Sequence, residues 1–200
     1  MDALEAIFTR RSTRKYSDEM PSRELIEKVV EAGRFAPSGH DNQTSHFIVF
    51  TDKKVLDELA DMVQNEFAKM EETDEMYVSL KRCIVVSKRG KFVFHYGAPV
   101  FISVSNKKGY GNAMADSACA IENMMIAANA LDLGSCWINQ LHWLDENKTI
   151  RDFMIRHGLK EDETITGGLI IGYPFNDKLN RSTPERKGNT VTWDQILLFQ

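Results

Sequence analysis

The sequence predicts a single folded domain that contains both helices and strands. Its 200 residues fit one domain, and no internal repeat or linker divides them, so we expect one unit over residues 1–200. Segments with helical and with strand periodicity alternate along the chain, joined by connections of uneven length. The nearest approach to a Gly-x-Gly-x-x-Gly motif, at residues 109–111, lacks the third glycine, which disfavours a dinucleotide-binding Rossmann fold.

Periodicity in the first half of the chain predicts three helices and one strand. The first helix covers residues 3–8, and Ser22 and Asp52 are typical N-caps for the second and the third. Residues 36–45 are rich in turn formers and small polar groups. They predict a polar connection that leads into a strand at residues 46–51.

The second half contains the strongest predicted helix, at residues 113–131. Because this helix is apolar nearly all round, we expect it to be buried in a core or in a subunit interface. Residues 70–95 mix acidic, basic and aromatic side chains and predict no definite element, and the apolar ending at 193–199 is expected to dock on the rest of the protein. The other predicted elements are strands at 98–105, 135–139 and 164–173 and a helix after Asp145.

Composition narrows the class of protein. Apolar residues make up 42% and charged residues 27%, which is typical of a globular protein, and the net charge of −4 argues against a general nucleic-acid binder. No apolar run approaches the ~20 residues of a membrane span, and the acidic N-terminus lacks the basic region of a signal peptide. The three cysteines are far apart and odd in number. We therefore expect reduced thiols and a cytoplasmic location.

The basic segment, residues 10–16, is the most informative stretch of the chain. It reads Arg-Arg-Ser-Thr-Arg-Lys-Tyr and places four cations and two small hydroxyls within seven residues of an acidic protein. Such a cluster repels itself unless an anion lies inside it, and guanidinium groups match phosphate oxygens in geometry. Taken alone, the pattern indicates either an anion site or a solvated charged surface.

The basic segment, following a short helix, resembles the opening motif of the FMN-dependent nitroreductase family. The matching positions are Arg10, Arg11, Ser12, Arg14 and Tyr16. The resemblance implies that Arg10 and Arg14 neutralise the FMN phosphate, while Arg11 and Ser12 bond the pyrimidine side of the flavin. In the family a basic residue near the C-terminus closes the phosphate site, and Arg186 and then Lys187 are the candidates here.

The polar loop, residues 37–43, is the second resemblance. It is similar to the Pro-Ser-x-x-Asn-x-Gln loop that, in the family, reaches across the dimer to the partner's FMN. Aspartate stands at position 41, where the family usually has asparagine. The resemblance implies that the partner's cofactor is contacted by Pro37, Ser38, Gly39, Asp41 and Gln43. From composition alone, an ordinary surface connection is an equally good interpretation of this loop.

Residues 131–139 are the third resemblance, to the family's Leu-Gly-Leu-Gly-Ser-x-Trp segment, with Asp132 in place of the first glycine. In relatives the backbone after this strand lies beside the reactive edge of the flavin, and one amide faces flavin N5. That role is implied here for Trp137, Ile138, Asn139 and Gln140. Without the resemblance, a core strand with a packed tryptophan explains the segment as well.

Together these resemblances imply an α+β fold with a central mixed β-sheet flanked by helices, assembled as an intertwined homodimer with FMN at the subunit interface. They imply tight, non-covalent FMN, with NADH or NADPH as transient hydride donor and nitroaromatics, quinones or similar small acceptors reduced by a ping-pong mechanism. No catalytic side chain is expected, because the chemistry takes place at flavin N5. No metal site is expected either, because the five histidines form no metal-binding pattern.

Two alternatives stay open. The first is a flavoenzyme of the same fold with other chemistry, such as reductive dehalogenation or flavin fragmentation. Such branches differ in the substrate lid, which we expect at residues 70–95 and 106–112. The second is a flavin-binding protein without catalytic turnover.

Overall fold

The computed structural model describes residues 1–193, which contain seven α-helices and four β-strands. In chain order these are α1 (Ala3–Thr9), α2 (Arg23–Arg34), β1 (His46–Phe50), α3 (Lys53–Ala68), α4 (Val78–Lys88), β2 (Val100–Lys107), α5 (Ala113–Ala130), β3 (Gly134–Ile138), α6 (Gln140–Trp143), α7 (Lys148–Arg156) and β4 (Glu163–Gly172). The side chains of Ser22 and Asp52 accept hydrogen bonds from backbone amides in the first turns of α2 and α3, which confirms both predicted N-caps.

The four strands form one sheet in the order β1-β2-β4-β3. The predicted α+β class is confirmed, but the sheet is not mixed, because all three strand pairs of the described part are antiparallel. Parallel pairing is limited to an isolated bridge between Ser12 and Ser135. The reason is that the basic segment runs beside β3 for a few residues only, too short a stretch to add a strand.

Helices cover both faces of the sheet, so its central strands are buried on both sides. On one face α3 and α7 pack through Leu59, Phe67 and Phe153, and on the other α2 and α5 pack through Val29 and Met124. Seven of the eight residues of β2 are buried, as expected for a strand that is covered on both faces. The sheet is therefore a rigid platform for the segments that lie at its ends.

Helix α5 lies against the sheet and contacts both α1 and α2. Its predicted burial is confirmed on the side that faces these elements, where Ile121, Met124 and Ala128 are fully buried. Met114 is 48% exposed, and Cys119, on the next turn, is exposed as well. One strip of this apolar helix therefore remains uncovered within a single protomer.

Two expectations change in the structure, and a third falls mostly outside the described residues. Residues 70–95 contain a helix, α4, which the sequence did not predict because its start has no side-chain cap and its apolar face is weak. Asn106 and Lys107 belong to β2 and not to a lid. The expected docking of residues 193–199 lies outside the described residues, except for Trp193, which is exposed.

None of the helices in residues 1–193 combines the length and the apolar character that a membrane-spanning segment needs.

Candidate cofactor-binding site

The basic segment is fixed to the sheet by backbone hydrogen bonds at its middle residue, Thr13, and at Ser17, the residue that follows it. The Thr13 amide donates to the Ser135 carbonyl at 2.8 Å, and the Ser17 amide donates to the Tyr173 carbonyl at 3.0 Å. The segment thus crosses the start of β3 and the end of β4. Because the backbone is held in this way, its cationic side chains are presented from a rigid support.

Two glycines of the sheet make this close approach possible. A Cβ at Gly134 would lie 2.8–2.9 Å from three atoms of the Thr13 side chain, and a Cβ at Gly172 would lie 3.1 Å from the Tyr16 ring. The buried Tyr16 hydroxyl donates to the Thr13 carbonyl at 2.7 Å. Burial raises the pKa of Tyr16 far above its usual value, so the phenol remains a neutral hydrogen-bond donor.

The three arginines of the segment carry more positive charge than their neighbours neutralise. Arg10 Nε lies 3.4 Å from Glu122 Oε1, without the angle of a hydrogen bond, and the Arg10 side chain is largely buried. The exposed Arg14 guanidinium carbon lies 6.0 Å from the centre of the Tyr96 ring, at the limit of a cation–π contact. Among residues 1–193, Glu122 is the one carboxylate that forms an ion pair with Arg10, Arg11 or Arg14. An anion would therefore be stabilised here.

Cys136 lies on β3 close to the basic segment and is 1% exposed. Burial raises the pKa of its thiol, and the nearby charge of Arg14 offsets this only in part. The thiol consequently stays neutral near pH 7. Cys136 is a small core residue and offers no nucleophile.

The β3–α6 corner is formed by Trp137, Ile138, Asn139 and Gln140. Trp137 Nε1 donates to Asn139 Oδ1 at 2.6 Å, and Ile138 is buried. The buried Gln140 directs Nε2 towards Cys83 Sγ at 3.7 Å. Gln140 Oε1 is buried without a hydrogen-bond partner among the described residues. The backbone role that the resemblance implies for the corner stays a prediction.

The polar loop has a strained, internally bonded conformation. His40, Asp41 and Gln43 have φ angles of 53°, 53° and 50°, in the left-handed region that non-glycine residues seldom adopt. Ser38 Oγ accepts the Gln43 amide at 3.0 Å, and Asp41 Oδ1 accepts Gln43 Nε2, also at 3.0 Å. Strain of this kind is typical of functional loops, which disfavours a simple surface connection.

Within one protomer the polar loop and the basic segment lie at different places along α5. The loop is bonded to Asp116 in the first turn, whereas Arg10 contacts Met125. These two helix residues are nine positions apart, a rise of about 14 Å. A cavity of about 450 Å³ lies beside the loop, and Pro37 and Gln43 are among the residues that line it. The two motifs therefore contact α5 more than two helical turns apart.

The C-terminal tail reaches α5 through an arginine that sequence reasoning did not select. Arg181 Nη2 lies 3.0 Å from the Asn129 carbonyl and 2.6 Å from Asp132 Oδ1. Asp132 has a φ of 61°, which explains why the family has glycine there and why aspartate, tolerant of this region, is accepted. Arg186 and Lys187 are exposed, and no described hydrogen bond or ion pair joins them to the basic segment. Their role at a phosphate stays a prediction.

Sequence reasoning also missed three residues that support the two motifs. Asp116 and Tyr110 hold the polar loop, and Tyr96 lies beside Arg14. Only Asp116 gave a usable signal, because a carboxylate in the first turn of a buried apolar helix needs a partner.

Comparisons with known proteins find relatives in both sequence and structure. In sequence, a Methanothermobacter thermautotrophicus protein named "Putative NADH dehydrogenase/NAD(P)H nitroreductase" is 32% identical over 178 residues, 87% of this chain and 78% of the relative. In structure, a nitroreductase with bound FMN from Bacteroides fragilis superposes with a TM-score of 0.85 and 30% identity, covering 97% of this chain and 100% of that one. A nitroreductase with bound FMN from Desulfitobacterium hafniense gives a TM-score of 0.79 and 26% identity, covering 96% and 100%.

A sequence model described as "Nitroreductase family" matches residues 7–173, a range that includes the basic segment, the polar loop and the β3–α6 corner. The match covers well over half of the chain, and the predicted family is thereby confirmed. The chain belongs to the nitroreductase family.

Proposed function

We propose that this protein is an FMN-dependent oxidoreductase that uses NADH or NADPH to reduce nitroaromatic, quinone or similar small acceptors by a ping-pong mechanism. The general class, an NAD(P)H-dependent FMN oxidoreductase, follows from membership of the family. It is supported by a structural relative with bound FMN and by a sequence relative named as an NAD(P)H nitroreductase. In this chain the assignment is supported by the basic segment, whose backbone is held rigidly. Among the described residues, one carboxylate, that of Glu122, forms an ion pair with its three arginines.

The residues present fit FMN. The partly buried Arg10 and the exposed Arg14 provide the charge for a phosphate, and Arg186 or Lys187 would approach from the tail. Arg11 and Ser12 would bond the pyrimidine edge, and the backbone of the β3–α6 corner would lie along the reactive edge. Bound FMN supplies hydride transfer between the nicotinamide and the acceptor, while the protein binds and orients.

Proton transfer from protein side chains is not required by this site. In the basic segment and the neighbouring strand β3, the side chains that titrate most readily as acids are Tyr16 and Cys136. Burial raises the pKa of both, so neither releases a proton near neutral pH. The contribution of the chain is therefore positioning and positive charge, which favours anionic ligands.

The separation of the two motifs along α5 supports a homodimer. If the polar loop completes the cofactor site of a second copy, as the resemblance implies, the separation along α5 within one protomer is accounted for. The uncovered strip of α5 at Met114 and the exposed Leu4 and Phe8 of α1 provide apolar surface for such an interface. Sedimentation of the FMN-loaded protein as a stable monomer would contradict the dimer.

The proposed function is tested by the colour and reactivity of the purified protein. We expect a yellow protein whose visible spectrum is close to that of FMN, bleached when NADH or NADPH is added without oxygen. Absence of flavin after reconstitution with FMN would overturn the proposal. Bound flavin that neither nucleotide bleaches would identify a flavin-binding protein without turnover.

Initial-rate kinetics are expected to be ping-pong. One cleft must serve both substrates, because the described fold contains no separate dinucleotide-binding unit. Double-reciprocal plots against NAD(P)H at several fixed acceptor concentrations should then give parallel lines. Intersecting lines would indicate a ternary complex and a second nucleotide site.

A further inference from the structure

The start of α5 holds the polar loop through a buried carboxylate. Asp116 is 6% exposed, and its two oxygens lie 3.1 and 3.3 Å from the Gly39 amide nitrogen. The Tyr110 hydroxyl lies 3.0 Å from Asp116 Oδ2 and 3.3 Å from the Gly39 carbonyl oxygen. Asn42 Nδ2 donates to the same hydroxyl at 3.3 Å. The Gly39 amide is thus bonded by a residue remote in sequence, while its carbonyl accepts the Asn42 amide at 3.2 Å and lies 3.3 Å from the Tyr110 hydroxyl.

The fit at this contact is close. A Cβ at Gly39 would lie 2.6 Å from the Tyr110 hydroxyl oxygen and 2.4 Å from Asn112 Nδ2. The loop therefore lies directly against the turn that precedes α5. The positive end of the helix also favours the Asp116 charge, which permits a carboxylate to be buried here.

The strained conformation of the loop needs such external support. Three left-handed residues within four positions, His40, Asp41 and Gln43, are each disfavoured relative to extended or helical backbone. The hydrogen bonds inside the loop include one from the Asn42 amide to the Gly39 carbonyl and leave the Gly39 amide to be bonded from outside. Without Asp116 and Tyr110 the strain would be released by rearrangement of the loop.

We propose that Asp116 and Tyr110 are positioning residues that hold the polar loop in the shape required by the cofactor site of the partner subunit. The inference rests on the proposed function, because it assumes FMN and a dimer. It goes beyond that function in assigning to these two side chains an effect on the opposite site, while the site of their own protomer stays intact.

The first measurement tests the contact itself and does not depend on FMN. In Asp116→Asn and Tyr110→Phe, hydrogen exchange of the peptide that contains Gly39 should be about tenfold faster or more, as expected for loss of a hydrogen bond. Asp57→Asn is the matched control, since it removes an exposed carboxylate that pairs with Lys53 on α3. Unchanged loop exchange in both variants would overturn the proposal.

The second measurement asks which site the two residues serve. Asp116→Asn homodimers should bind FMN roughly 10- to 100-fold more weakly than wild type, as expected for one or two buried hydrogen bonds. Mixed dimers of an Asp116→Asn subunit and an Arg14→Ala subunit are isolated with two affinity tags. FMN binding is measured at a free concentration between the wild-type and variant dissociation constants.

The mixed dimer combines the defects in one site. One site has an intact basic segment from the Asp116→Asn subunit and an intact loop from the Arg14→Ala subunit, while the other site has neither. We expect one tightly bound FMN per mixed dimer. Recovery of no tight site would mean that Asp116 acts on its own protomer, and the inference would fail.

The outcomes separate the inference from the proposed function. Wild-type protein that binds no FMN contradicts the function, while the exchange measurement still tests the contact. If Asp116→Asn does not fold, Tyr110→Phe replaces it in the mixed dimer, since it removes one hydroxyl and keeps the ring. A general structural defect would weaken both sites and would not be rescued by the second subunit.

Discussion

Replacement of Arg14 by alanine is expected to weaken FMN binding by roughly 10- to 150-fold and to leave riboflavin binding nearly unchanged. The reason is that Arg14 is assigned to the phosphate, which riboflavin lacks. A charge-assisted hydrogen bond to phosphate contributes about 1.5–3 kcal/mol, which corresponds to that range of affinity. Fluorescence titration of the cofactor-free protein with each ligand measures both dissociation constants.

Arg23→Ala is the matched control for this experiment. The Arg23 side chain is 92% exposed on α2 and pairs with Glu27, so its removal changes the net charge equally without approaching the basic segment. The effect of Arg14→Ala should also decrease as salt is added, because an exposed cation is screened. Equal losses for FMN and riboflavin would show that Arg14 does not contact phosphate.

The strands, but not the way they pair, and most helices could be predicted because their signals are local. The apolar run from Val100 to Val104 and the caps at Ser22 and Asp52 identify their elements without knowledge of neighbours. Helix α4 lacks both kinds of signal, since no side chain caps its start and only a few of its residues, such as Ile84, are buried. Its position is decided by packing against α3, which periodicity does not reveal.

The candidate site was predictable only in part, for a related reason. Arg10 and Arg14 belong to one short motif, so their spacing carries the information. Asp116 and Gly39 are far apart in sequence, and their contact exists only once α5 and the polar loop are placed. The backbone role of Gln140 was inferred by resemblance, but that its side chain faces Cys83 needed the structure.

The second large effect is expected at Gly134, where the basic segment crosses β3. In Gly134→Ala the new Cβ would lie 2.8–2.9 Å from the Cβ, Oγ1 and Cγ2 atoms of Thr13, closer than carbon contacts allow. Three atoms at this distance cannot all be relieved by one rotation of the side chain. The segment must lift from the strand, which lengthens the 2.8 Å hydrogen bond from the Thr13 amide to Ser135.

We expect Gly134→Ala to reduce the free energy of unfolding by about 1–3 kcal/mol, as is typical of overpacking, and to weaken FMN binding by roughly tenfold or more. Urea denaturation and FMN titration measure the two effects. Gly111→Ala is the control, since a Cβ there has no neighbour within 4 Å.

A second substitution decides whether the contact with Thr13 is the cause. Thr13→Gly removes all three atoms that the new Cβ would meet, whereas Thr13→Ala keeps one of them at 2.9 Å. The double variant Gly134→Ala/Thr13→Gly should therefore recover FMN affinity relative to Gly134→Ala, while Gly134→Ala/Thr13→Ala should recover less. Additive losses in the first pair would show that the two residues do not interact. In that case the position of the arginines would not depend on the absence of a side chain at residue 134.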